Sequence, residues 1–191
     1  MNLKHRFLFL LLVVLINCKT SHFENLGLVK PVKNISYLPP EFEKFDIFSY
    51  NLFELNEPKL FGLKDENIEI YRLTSVISFG GDNSVVTIIK NNLDNSIYKF
   101  IKVDSFKKRR ILKKKIKISD LEFKNFTSNL NSFDIQNFPK NNFNNVDDGI
   151  QYLLEIYKNG KYSAFIRNNP QTGKNADAKF LGIIKLFYDL K

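Results

Sequence analysis

The side chains best suited to chemistry in this 191-residue chain are acidic. Asp147 and Asp148 stand at the entry to an apolar alternating run, and Glu155 lies inside it. Carboxylates held at the right separation can serve as the acid and base of a glycoside hydrolase, and clustered carboxylate oxygens can hold calcium. Adjacent aspartates at a strand entry also cap turns, and no EF-hand spacing surrounds these two. They are therefore read as caps, with Glu155 facing water, and no catalytic residue is assigned. The two histidines, His5 and His22, precede the region that folds, and the one cysteine is Cys18. The domain thus lacks the parts of a Ser-His-Asp or Cys-His nucleophile and any His or Cys ligand for zinc. Neither a G-x-x-x-x-G-K-[ST] loop nor a G-x-G-x-x-G fingerprint occurs, so no cofactor and no metal are expected.

Basic residues form the second candidate. Net charge is +9 overall and +7 from residue 18 onward, yet Lys99 to Lys117 holds ten bases against Asp104, a local +9. Lys107, Lys108, Arg109, Arg110, Lys113, Lys114 and Lys115 are the residues that would meet an anionic lipid, polysaccharide or other polymer. A solvated hairpin with lysines guarding a sheet edge shows the same pattern, and that is the reading adopted. Only two of the ten are arginine, which argues against reading of base edges, so no specific nucleic acid is expected. The chain as a whole has 24 Lys against 5 Arg, and 19 Phe with no Trp, a skew that follows AT-rich codons as readily as function.

At the start of the chain Lys4, His5 and Arg6 precede an unbroken apolar run, Phe7 to Ile16, followed by Asn17 and Cys18. Ten apolar residues are too few to span about 30 Å of hydrocarbon, so the run reads as the h-region of an export signal. Leu15-Ile16-Asn17-Cys18 resembles the lipobox of bacterial lipoprotein precursors, with Asn17 where Gly, Ala or Ser is usual. The resemblance implies cleavage between Asn17 and Cys18 and attachment of fatty acyl chains such as palmitate at Cys18. It also implies residence in the bacterial envelope, at the outer membrane or the periplasmic face. Two or more acyl chains hold a protein on a membrane without a transmembrane helix.

These groups need a scaffold, and the pattern of the rest supplies one. Residues 18–43 carry Pro31, Pro39 and Pro40 without a clear period and read as a tether, part of it able to dock on the domain. A single domain is expected over 44–191. Phe45 to Leu55 alternates loosely, with Phe48, Tyr50 and Leu52 on one side, and suggests a first strand. Clearer strands follow at 68–78, 85–90, 97–103 and 113–118, separated by short Gly- and Asn-rich turns, which predicts an antiparallel meander. Ser119-x-x-Glu122 has the form of a capping box, and Phe123, Phe126, Leu130 and Phe133 recur at helical spacing behind it. The segment around Pro139, with Asn137, Asn141, Asn142, Asn144 and Asn145, reads as a polar loop. Asn159-Gly160 between two alternating runs predicts a type I′ hairpin that pairs Tyr157 with Tyr162 and Lys158 with Lys161. Ile150, Tyr152, Leu154 and Ile156 then share a face with Phe165, and Glu155 takes the other. Asn175 is placed to cap a last helix with an apolar face from Phe180 to Leu190. The fold class is α+β: an antiparallel sheet, meander plus C-terminal hairpin, with two helices on one face. The run from Asp148, D-G-x-x-Y-x-x-E-x-x-K-x-G-x-Y and then N-N-P, faintly resembles uncharacterised envelope proteins of Bacteroidetes-like bacteria, and that resemblance implies no activity.

These readings favour a membrane-anchored, non-catalytic binding or interaction module whose partner is an envelope protein or an anionic polymer. The alternatives are a carboxylate-dependent hydrolase of envelope polymers and a carrier of an apolar ligand. A cleft converging on Asp147, Asp148 or Glu155 would favour the hydrolase, and a closed apolar cavity the carrier.

Overall fold

Alternating apolar residues pair into one sheet in the computed structural model, which describes residues 28, 32–78, 81–91, 96–104, 109–142, 148–171 and 177–190. The strands are β1 (Ile68–Ile77), β2 (Ser84–Asn91), β3 (Ser96–Asp104), β4 (Arg109–Ile118), β5 (Asn141–Asn142), β6 (Ile150–Lys158) and β7 (Lys161–Asn168), and the helices are α1 (Asp46–Glu54), α2 (Asp120–Ser132) and α3 (Ala178–Tyr188). Spatial order is β4-β3-β2-β1-β6-β7-β5. The six long strands are antiparallel, and β5 adds a two-residue parallel bridge to Ile166 and Arg167 of β7. The meander and the C-terminal hairpin therefore join through β1 and β6. The fold is α+β.

Local chemistry explains the parts. Asn159 and Gly160 both take positive φ, 51° and 68°, as a type I′ turn demands, and Tyr157 opposes Tyr162 while Lys158 opposes Lys161. Ser119 and Glu122 form the reciprocal capping box of α2. The last helix is capped by Asp177, whose carboxylate accepts the Phe180 N–H; Asn175, expected in that role, lies outside the described residues. β4 begins at Arg109, earlier than the residue 113 read from the Lys-Ile alternation.

The segment 45–55 departs from expectation. It is helix α1, not a strand, because Phe45, Phe48, Leu52 and Leu55 are buried at helical spacing while Tyr50, placed by alternation with Phe48, is 63% exposed. A 3-10 turn, Pro40–Phe45, precedes it, and Tyr37, Leu38 and Phe42 within the expected tether are buried too. Part of the Asn-rich stretch expected as a loop is likewise ordered, as a 3-10 turn at Ile135–Asn137 and as β5; Asn144 and Asn145 lie outside the described residues.

Both faces of the sheet are thus covered. On one, Tyr71, Leu73, Val86, Ile88, Leu154 and Phe165 pack against Phe123, Phe126 and Leu130 of α2 and Phe180, Ile183 and Phe187 of α3. On the other, Val76, Val85, Ile101, Leu153 and Ile166 pack against Tyr37, Phe42, Phe48 and Leu52, and a smaller cluster gathers Leu28, Leu60, Ile68, Ile70, Ile89 and Tyr157.

Candidate functional site

A row of polar residues crosses the sheet between the two apolar clusters of the α1 face. Register places Lys99 of β3 beside Thr87 of β2, Thr87 beside Arg72 of β1, Arg72 beside Glu155 of β6, and Glu155 beside Ala164 of β7. Side chains directly opposite on neighbouring strands share a face, so four strands contribute polar side chains to one line, which ends on Ala164 of β7. Glu57 descends onto that line from above. Asn56, at φ 57°, gives α1 a left-handed C-terminal residue; its N–H donates to Phe53 O and the Glu57 N–H to Leu52 O, the two bonds of a Schellman motif. Pro58 then turns the chain away from the helix.

The contacts close a network. Arg72 Nε donates to Glu155 Oε2 at 2.6 Å, and Arg72 Nη1 donates to the Pro58 carbonyl at 2.7 Å. Lys99 Nζ lies 2.6 Å from Glu57 Oε1, Thr87 Oγ1 donates to Glu57 Oε2 at 3.2 Å, and Tyr162 OH donates to Glu155 Oε1 at 2.9 Å. Glu57, Arg72 and Glu155 are 0% exposed and Lys99 5%. Two cations and two carboxylates cancel. Burial by itself would lower the Arg72 pKa, but the charge and hydrogen bond of Glu155, with the charge of Glu57, raise it and keep the guanidinium ionised. Tyr162 titrates well above its ordinary value, first through burial and then through the neighbouring Glu155 charge, against the opposing pull of Arg72.

Glu155 therefore does not face water. Its two oxygens are occupied by Arg72 and Tyr162, which leaves it neither accessible nor vacant as a proton acceptor. Asp148 is exposed, and its carbonyl accepts from Asn169 Nδ2 at 2.7 Å, beside Gly149 at φ 125°. Seven residues of extended chain separate it from Glu155, on the order of 20 Å, against about 5 to 10 Å for a glycosidase pair. The two do not converge. Asp147 lies outside the described residues, and among the described residues no group of three His, Cys, Asp or Glu side chains could hold a metal ion.

The basic stretch is also divided by the structure. Lys99, expected on a solvated hairpin, is the buried partner of Glu57, and Lys102 pairs with Asp82. Lys115 and Lys117 are exposed on the edge strand β4, and Lys114 sets its ammonium 5.9 Å from the centre of the Tyr98 ring. Arg109, Arg110 and Lys113 belong to β4, whereas Lys107 and Lys108 lie outside the described residues, as do Asn17, Cys18 and His22.

A second buried arginine organises the far edge. Arg167 Nε donates to Asp177 Oδ2 at 2.9 Å, its Nη1 donates to the carbonyls of Pro139 and Ile166, and its guanidinium lies between the Phe138 and Phe180 rings. It ties the cap of α3 to the coil that runs beside β7. Along that edge opens a cleft of about 680 Å³. Its floor is Tyr162 to Phe165; Pro39, Pro40, Phe42, Phe61 and Leu63 form one wall, and Gln136 and Phe138 the other. The charged residues on it, Glu41 and Lys140, pair at 3.1 Å. The backbone N–H of Glu41 itself, and then the Lys140 ammonium, hold the exposed Glu41 carboxyl below the usual range.

A local signal for the buried row existed in the sequence. Arg72 and Glu155 interrupt otherwise uncharged, mostly apolar registers, Ile68-Ile70-Thr74-Val76 and Leu153-Tyr157, where a lone charge requires a buried counter-charge. Glu57 carried no such signal, because its position depends on how α1 ends. Compared with known families and curated proteins, the chain matches no family model and no curated sequence, so the reading of this site rests on its own geometry.

Proposed function

We propose that the chain is a lipid-anchored protein of the bacterial envelope, held by Cys18, whose domain binds a partner and turns over no substrate. The observation that carries this reading is the cleft beside β7. Its walls are aromatic, aliphatic and proline residues with Gln136, its floor is Tyr162 to Phe165 of β7, and its single acidic residue, Glu41, is neutralised by Lys140. Such a surface suits binding, since hydrolysis through carboxylates needs two of them facing one reacting atom. Exposed apolar side chains at Val32, Ile35 and Tyr50, which border two smaller clefts of about 310 and 440 Å³, add to the same reading. No helix among the described residues is long and apolar enough to cross a membrane; the attachment proposed is through acyl chains on Cys18.

The test has two arms. A fatty-acid analogue should label the wild type and spare Cys18→Ser; equal labelling would remove the anchor. A photoreactive residue in place of Phe61, at the cleft, should crosslink one defined envelope component, and the same residue in place of Lys115, on the opposite edge, should not. Equal crosslinking from both positions would remove the cleft as the binding site.

A further inference from the structure

We propose that the cleft along β7 takes an extended, uncharged polypeptide segment of the partner, added to the sheet as an eighth strand. The inference rests on the binding-module reading and specifies its ligand.

The backbone makes the case. The β6–β7 register runs without a shift from Gln151↔Asn168 to Lys158↔Lys161. Ile166 N–H points away from β6, donating to Lys140 O at 2.9 Å, whereas Asn169 N–H points towards β6, donating to Ile150 O. By the two-residue alternation of a strand, Ala164 and Tyr162 turn their N–H and C=O groups the same way as Ile166, towards the cleft. Among the described residues the strand pairing on that side of β7 is confined to Ile166 and Arg167, where β5 docks. This edge already accepts one strand at its C-terminal end, and the cleft begins where that pairing stops.

The side chains agree with the backbone. Sheet edges are normally blunted by charge, proline or bulges. The opposite edge, β4, has exposed Lys115 and Lys117 and a register break against Phe100 and Ile101. Tyr162-Ser163-Ala164-Phe165 has none of these. Its cleft has an apolar wall on each side of the sheet plane, Pro39, Pro40 and Phe61 on one and Phe138 on the other, which is what the alternating side chains of an added strand would meet. With Glu41 and Lys140 paired, nothing there asks for a charged ligand. An acyl chain or other apolar small molecule would cover the Ala164 and Tyr162 amides without bonding them, whereas a strand satisfies them.

The test uses the full-length chain in detergent micelles and a dansyl-labelled heptapeptide, Thr-Val-Thr-Val-Thr-Val-Thr. Expected are saturable binding, amide shifts confined to residues 61–63 and 162–166, and loss of at least tenfold in affinity with Ser163→Lys. N-methylation of the alternate amides that face β7 should weaken binding at least tenfold more than N-methylation of the other set, a readout independent of whether any variant folds. Equal effects of the two methylation sets, no binding at 1 mM peptide, or shifts elsewhere on the domain would overturn the proposal. So would a dimer that Ser163→Lys dissociates and peptide does not displace, since the occupant would then be a second copy of this chain. Failure of the peptide with crosslinking from the Phe61 position intact would remove strand addition alone, and loss of that crosslinking would remove the underlying reading.

Discussion

The same strands present two unlike faces. Towards α2 and α3 the centre of the sheet is apolar, with Tyr71 edge-on to Phe126 and Phe126 edge-on to Phe187, at ring-centre distances of 5.4 and 5.2 Å, and its buried polar groups, Arg167 with Asp177 and Ser75 with Ser84, lie at the ends of the strands. Towards α1 it carries three buried charges, Arg72, Glu155 and Lys99, and the cover adds a fourth, Glu57. The covers differ, and that accounts for the contrast. A regular helix satisfies its own backbone, so α2 and α3 need offer only side chains. The α1 cover continues through coil from Leu55 to Asn67, whose carbonyls need donors from below. Arg72 donates to Pro58 O and Tyr157 OH to Asp65 O. Arg167 does the same for Pro139 O on the coil beside β7. The two buried arginines among the described residues, Arg72 and Arg167, sit where irregular backbone covers the sheet.

The largest effect should come from breaking the charged row. Arg72→Met leaves Glu155 and Glu57 short of a cation and should cost about 3–5 kcal/mol in urea unfolding. Arg72→Met with Glu155→Leu should recover most of that loss, and a double variant no better than the single would show that the two do not act as a pair. In the apolar centre of the other face the loss is one of packing only. Leu73→Ala should cost about 2–5 kcal/mol, with no partner change that restores it and no dependence on pH between 6 and 9.

Tyr162→Phe leaves one Glu155 oxygen without its donor and should cost about 1–3 kcal/mol at neutral pH. It should also change the alkaline limb of stability. The unfolded phenol loses its proton at about pH 10, whereas the folded one, raised by burial and by Glu155, still holds it. The folded state then binds the extra proton, so stability is complete below that pH and falls as pH rises through it. Tyr162→Phe should make the fall shallower, and an unchanged limb in pH-dependent unfolding would contradict the assignment. The smallest effect is a gain. Thr74 Oγ1 is buried on the charged face with no hydrogen-bond partner, so the isosteric Thr74→Val should stabilise by on the order of 1 kcal/mol. A loss of that size would mean the hydroxyl is satisfied after all.

Legibility in the sequence followed the range of the interactions. The meander, the capping box and the Asn159-Gly160 hairpin were readable because each depends on residues a few positions apart. Helix α1 was misread because Phe48, Tyr50 and Leu52 fit a strand as well as Phe45, Phe48, Leu52 and Leu55 fit a helix, and the sheet face that chose between them is formed by residues 20 to 120 positions later. Glu155 was placed on the correct side of its strand and in the wrong surroundings for the same reason: nothing near it in sequence announces the α1 cover.

By itself the sequence determined the six long strands, their order within the meander and hairpin, the type I′ turn and the two faces of β6, since these follow from alternation, turn conformation and caps within a short span. Only the tertiary structure decided that both faces are covered, that Lys99, Glu57, Arg72 and Glu155 form one neutral row, and that the edge opposite the lysine-bearing strand borders a cleft. Those outcomes depend on which surfaces meet across more than a hundred residues, and the free energy that selects them comes from burial shared among segments that have no local preference for one another.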